Sequence, residues 1–378
     1  MPGNLAENTP SANIALYMGT YFHNQSNTAL ASILAWRALA MGINKYMSGT
    51  YNEVVPIAPD MIAFQNINVS CSQIGLFFQK IISQATTQFI DKLMIQKAWW
   101  EEVQAEISLE QAASFENVHN QQAYWNFLVP NPTYQQLSKY LYMKILGDSI
   151  GSKWFNSSGL LQLAQKGQYL QEVYEFQKLL MILFYGTSGA PSRSSEIPPI
   201  LLANTSQSTR TLFIDRQHHL ILLRLRYSKT ANRNNIEQQA IRVLPESVSF
   251  LVLAYMGLVL PFMQFLDLMQ FGEYTRSREL LFWHKNDLIS EKVLGQRLQT
   301  LSHQILGQRI VIRYWRHIMQ GFIRYYMNWD LENPWNRNES KLFIFILYLS
   351  HIYLTFTSLS PHFYLISCSH SIHISPFN

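Results

Sequence analysis

The spacing of apolar residues changes once along this chain, and that change limits the folds open to it. Through residues 11–180 they recur every three or four positions, in Ile33–Leu39, Ile74–Phe89 and Leu137–Leu146, which is the period of an amphipathic helix. Tyr169–Phe184 (YLQEVYEFQKLLMILF) begins amphipathic and ends wholly apolar, as a helix does when it runs into a domain centre. The break comes at Gly186–Ser194 (GTSGAPSRS), where two glycines and a proline force a tight turn. Beyond it, Thr211–Asp215 and Leu220–Thr230 read as strands, with Arg216–His219 as the hairpin loop and Ile241–Pro245 as a third strand. The alternation Leu223, Arg224, Leu225, Arg226 puts apolar and cationic side chains on opposite faces. Helices resume over Glu246–Gln270, Leu294–Leu306 and Ile312–Met327. Pro56, Pro59, Pro130 and Pro132 mark loops, and the acidic stretch Ala98–Glu116 reads as a solvated helical face. The expected fold is mainly α with a small antiparallel β-hairpin or sheet.

Apolar residues make up 48% of the 378, enough for a packed core and against wholesale disorder. Charged residues are only 14%, where about 25% is usual. Charge is also uneven. Residues 1–188 hold 10 Lys and Arg against 12 Asp and Glu, a net −2. Residues 189–328 hold 17 against 9, a net +8, and residues 329–378 hold 2 against 3. A positive field confined to the middle-to-late segment is what a polyanion-binding face requires. Cys71 and Cys368 lie far apart without a CxxC context, so neither a disulfide framework nor a cysteine zinc site is expected. This fits a reducing compartment, and Met1–Gly19 has no secretory pattern. His218-His219 and His370/His373 lack partners at ligand spacing, and there is no P-loop. Neither a metal nor a cofactor is implied.

Three short segments carry the chemistry. In Gly189–Glu196 (GAPSRSSE) an arginine follows a Gly/Pro turn, three residues before a glutamate. Arg193 can point its fork into a cleft while Glu196 turns back to fix the loop, and a guanidinium grips phosphate bidentately. Lys229 closes the alternating strand, and an ammonium can donate a proton where arginine cannot. Arg313–His317 (RYWRH) sets Arg316 and His317 side by side near a helix start. Each segment alone is also what an ordinary solvated surface carries.

In their order and element types these segments resemble the tyrosine recombinase/integrase superfamily, which runs a Gly-Arg-x-x-Glu turn, a hairpin ending in Lys, an Arg-x-x-Pro strand and a His-x-x-Arg-His helix. Gly189/Arg193/Glu196, Tyr227-Ser228-Lys229-Thr230, Arg242/Pro245 and Arg316-His317 stand at those places. More narrowly, Gly-x-Pro-x-Arg-x-x-Glu, the Tyr-x-Lys strand and Tyr314/Arg316/His317/Ile318 look like fungal versions. Those occur in Crypton-like mobile elements and beside telomere-associated RecQ-type helicases. The resemblance covers about 180–328 well and 11–180 loosely. It implies a helical N-terminal, core-binding-like domain (1–135) and a recombinase-like catalytic domain (136–328), while residues 329–378 are an anomalous tail by composition. It further implies nuclear DNA as partner, with homo-oligomers on DNA. Such enzymes attack a phosphodiester with a tyrosine hydroxyl. Two arginines neutralise the phosphorane, and a lysine protonates the leaving oxygen. Arg193 and Arg316 would be the clamps, Lys229 the acid, Glu196 and Arg242 supports, and His317 an assistant.

The chain departs from this pattern in two ways. Arg313 stands where the family has a histidine, and arginine, with a pKa above ~12, is a poor proton shuttle. No nucleophile is assigned. Tyr325 and Tyr326 share the helix of Arg316, while Tyr348, Tyr353 and Tyr364 lie in a segment with no Asp, Glu, Lys or Arg after Lys341. That tail reads either as translated non-coding DNA or as a span near Leu342–Leu359. Its histidine and Ser/Thr content make it a poor span, and a membrane partner is not expected. The expectation is therefore a degenerate recombinase that binds DNA without full strand exchange. The alternatives are an active enzyme using a tail tyrosine and a non-enzymatic helical protein.

Overall fold

The structure, a computed structural model, describes residues 54–58, 60–189, 191–227, 238–272, 279–284 and 287–326. Lys229, Tyr348, Tyr353, Tyr364, Ile33–Leu39 and the apolar tail all lie outside them. The described residues are mainly helical with small antiparallel sheets.

The first described element corrects the helical reading of residues 11–180. A three-stranded antiparallel meander, β1 (Val55–Ala58), β2 (Met61–Phe64) and β3 (Ile67–Ser70), precedes the first described helix. Four-residue strands are too short for an alternation to stand out from a helical pattern. Pro56 sits within edge strand β1, where a missing donor costs no ladder bond. Ser70 then caps α1 (Cys71–Gln88) in a capping box with Gln73, satisfying two otherwise orphaned groups.

A π turn (Phe89–Leu93) extends α1, and α2 (Lys97–Val103) and α3 (Leu109–Ser114) follow. The solvated face expected over Ala98–Glu116 is only partly there. Trp99, Trp100 and Val103 face the core, and Glu116 is buried against Arg210. Pro132 opens α4 (Pro132–Gly147) at its first turn rather than marking a loop, with Asn131 as cap, because proline's fixed φ suits that position. The expected boundary at 135/136 falls inside this helix. Residues on both sides of it, from Ile62 to Ile323, join one hydrophobic cluster.

After the short α5 (Gly151–Trp154), α6 (Leu163–Thr187) runs through the centre, and every residue from Leu179 to Thr187 is buried. Gly186 permits the tightest approach: a Cβ there would lie 2.2 Å from the Phe78 ring of α1. The second sheet is β4 (Leu212–Ile214), β5 (Ile221–Tyr227) and β6 (Gln238–Val243), antiparallel in that order. Next comes α7 (Glu246–Phe271), interrupted by a π turn at Tyr255–Val259. It is long and apolar enough to cross a membrane, but 78% of its most apolar window is buried inside the fold. The hairpin β7 (Trp283–His284) and β8 (Asp287–Leu288), α8 (Glu291–Leu306) and α9 (Ile312–Tyr326) complete the description.

Candidate functional site: an arginine-walled recess

Helical spacing divides α9 into two stripes. Trp315, Ile318, Met319, Phe322 and Ile323 face inward and are buried. Arg313, Arg316, His317 and Gln320 repeat at i, i+3, i+4 and i+7 on the other side, and all four line one recess, as neighbours one turn apart should. Trp315 locks the helix in rotation. Its ring meets Phe77 and Phe78 of α1 at centroid distances of 5.5 and 5.6 Å.

The facing wall comes from the turn after α6. Gly189 takes φ +104, a left-handed conformation that suits glycine. The chain then reaches Arg193 and a 3-10 turn at Ser194–Glu196. Glu196 Oε2 accepts from the Arg193 backbone N–H at 3.2 Å, the reach-back expected of a glutamate three residues on. Ser194 Oγ donates to Glu291 Oε2 at 3.1 Å, tying this turn to the start of α8. Arg193, Ser194 and Ser195 thus oppose the α9 stripe across a recess of about 390 Å³.

A second, smaller recess of about 70 Å³ adjoins it, and Arg193 and Arg316 line both. The third cation in the smaller one is Arg242. In β6, Arg242 pairs with Leu223 and Ala240 with Leu225, and directly opposed residues share a face. Leu223 and Leu225 are buried, whereas Ile241 next to Arg242 is 64% exposed. Strand register therefore sends the arginine inward and the isoleucine outward, the reverse of what hydropathy alone predicts. Arg224 obeys the expected alternation, stacking on Phe213 and bonding to Thr209 on the opposite face.

The electrostatics are those of crowded cations short of water. Burial holds the Arg242 guanidinium below its usual range; Glu196 opposes this, and Arg316 adds to it. The Nε–H groups of Arg242 and Arg316 are buried without a hydrogen-bond partner among the described residues. His317 is held below its ordinary value by burial, then by Arg313 and Arg316. Burial pushes the Tyr185 hydroxyl well above the usual tyrosine range, while Arg316 and Arg242 pull the other way. That hydroxyl donates to the Ile312 carbonyl at 3.5 Å.

Of the residues singled out from the sequence, the two recesses bring together Arg193, Glu196, Arg242, Arg313, Arg316 and His317. Tyr325 turns away, its hydroxyl donating to the Val54 carbonyl at 2.9 Å. Sequence reading missed Ser192, whose buried hydroxyl has no partner among the described residues, and Gln320, which only the i+4 step from Arg316 could have flagged. It also missed Phe64, stacked on His317 at a centroid distance of 5.0 Å. No group of three or more potential metal ligands occurs among the described residues. No protein-family model and no solved structure matches this chain.

Proposed function

We propose that this chain is a DNA-binding protein of tyrosine-recombinase type, derived from a mobile element and acting in the nucleus. It grips backbone phosphate but lacks the complete apparatus for strand exchange. The observation that carries this reading is the meeting of Arg193, Arg242 and Arg316, from a loop, a strand and a helix, at adjoining recesses, with the Nε–H groups of Arg242 and Arg316 unpaired among the described residues. Unpaired buried donors on permanent cations are costly unless a ligand supplies acceptors, and phosphate oxygens match the guanidinium fork.

In this reading Arg193 and Arg316 hold the non-bridging oxygens of a phosphodiester. Ser194 and Gln320 offer neutral hydrogen bonds along the wider recess. The domain is the catalytic fold of a recombinase, with Lys229 as proton donor to a leaving oxygen and copies assembling on DNA. Arg313 stabilises charge but shuttles no proton. His317, held below its ordinary value by burial and then by Arg313 and Arg316, is the group in the recess able to accept a proton.

Binding to duplex DNA across a salt series tests this. The logarithm of affinity should fall with the logarithm of salt, each neutralised phosphate contributing about 0.9 to the slope. Changing Arg193 and Arg316 together to Ala should weaken binding and, since both hold one phosphate, flatten that slope by about one such increment. Unchanged binding in the double variant overturns the reading. A covalent product trapped on a suicide duplex would instead assign strand cutting, with a tyrosine beyond α9 as nucleophile.

A further inference from the structure

The two recesses differ in a way that bears on which phosphate each can hold. The wider one is bounded by the turn after α6 on one side and the α9 stripe on the other. The smaller, at about 70 Å³, exceeds the ~10–15 Å³ of such space that one water needs and can take one tetrahedral oxyanion. With less than a fifth of the volume of the wider recess, it suits one terminal phosphate group better than a strand that passes through. A phosphate at the end of a chain needs only one opening.

Charge makes the same distinction. Arg193, Arg242 and Arg316 bring three positive charges to the small recess, and Glu196 is the one carboxylate lining it among the described residues. The excess is two, because the Tyr185 hydroxyl behind it stays protonated. An internal diester supplies one negative charge, whereas a phosphate monoester supplies close to two at pH 7. Ser192 adds a hydroxyl on a residue only 2% exposed, without a partner among the described residues and on the recess wall. A monoester also has a third terminal oxygen to occupy it.

We infer that the small recess is a seat for a phosphate monoester dianion, held by Arg242, Arg316 and Ser192, so that the protein favours a phosphorylated end over an internal diester. This rests on the phosphate-binding reading above and narrows it. The shared chemistry is the monoester dianion, carried by a nucleic-acid end or by a free phosphate.

The test uses the full chain and duplexes of one sequence with 5′-hydroxyl or 5′-phosphate ends, together with inorganic phosphate as competitor. The phosphorylated duplex should bind at least about tenfold more tightly at pH 7.5. The advantage should shrink as pH falls through about 6, where the second phosphate proton returns. This readout needs no variant. In Ser192→Ala the advantage should narrow, while affinity for the hydroxyl-ended duplex changes little; Arg242→Gln should remove the advantage and weaken both duplexes. Preference for the phosphorylated end assigns a nucleic-acid end. Equal binding of both duplexes, with inorganic phosphate retained and lost in Arg242→Gln, assigns a free monoester. Equal binding of both duplexes with no phosphate competition overturns the inference and leaves the DNA reading standing. Failure of the hydroxyl-ended duplex to bind at all counts against the DNA reading alone.

Discussion

A guanidinium on the inward side of a strand has lost much of its water, yet it does not give up its proton. Arg242 is in this position, and Glu196 relieves it only in part. The same cations act on His317, whose ring lies against Phe64 and beside Arg313 and Arg316. Its folded-state value is lowered from the ordinary ~6.5, so protonation favours the unfolded chain. Its contribution to stability is therefore present above that value and is lost as pH falls through the lowered one. An anion in the recess would cancel the arginines' repulsion. Titrated by NMR, the His317 ring should have its midpoint below the ordinary value in the free protein and move upward when phosphate is added. A midpoint indifferent to phosphate would place the anion elsewhere. At this scale the sequence was legible wherever a motif placed its own neighbour, as Glu196 does for Arg193. It was silent on Phe64 and Ser192, because their partners are set by packing between segments far apart in the chain.

The elements that aim the site are α6, α9 and the meander. α1 presses Phe78 against Gly186 at the end of α6 and against Trp315 of α9, so one ring fixes the separation of the two walls. Gly186→Ala should cost about 1–3 kcal/mol, as overpacking does, seen as a lower midpoint in urea unfolding with an unchanged slope. Wild-type stability in that variant would mean that α1 and α6 do not pack this closely. Both long apolar runs announced their helices: the charge-free end of Tyr169–Phe184 does lie at the centre of the core. The strands from 212 to 243 were also readable, since alternation is plain in LILLRLRY. What the pattern did not give was register. Without the pairing of Arg242 with Leu223, nothing in IRVLP says which residue faces in. The meander at 55–70 escaped for a related reason, because its strands are too short to show a period.

Taken whole, the molecule gathers Arg193, Arg242, Arg313 and Arg316 around adjoining recesses and leaves their charge incompletely answered. Free energy stored in this way should be released when an anion binds. Binding to the folded state alone stabilises by RT ln(1 + [L]/Kd), about 2.7 kcal/mol at a hundredfold excess over Kd. Millimolar phosphate or sulfate should therefore raise the melting temperature by more than chloride of equal ionic strength, and Arg193→Ala with Arg316→Ala should abolish the difference. Equal shifts in all three salts would reduce the effect to general screening. The single cluster running from Ile62 to Ile323 has a further consequence, for heredity. A crossover near codon 135 would join halves of α1, α6 and α9 packing that never met, so this chain cannot trade its front for that of a relative as a modular protein can. Its two parts must drift together, each change in the meander or α1 answered by one in the helix that carries the arginines.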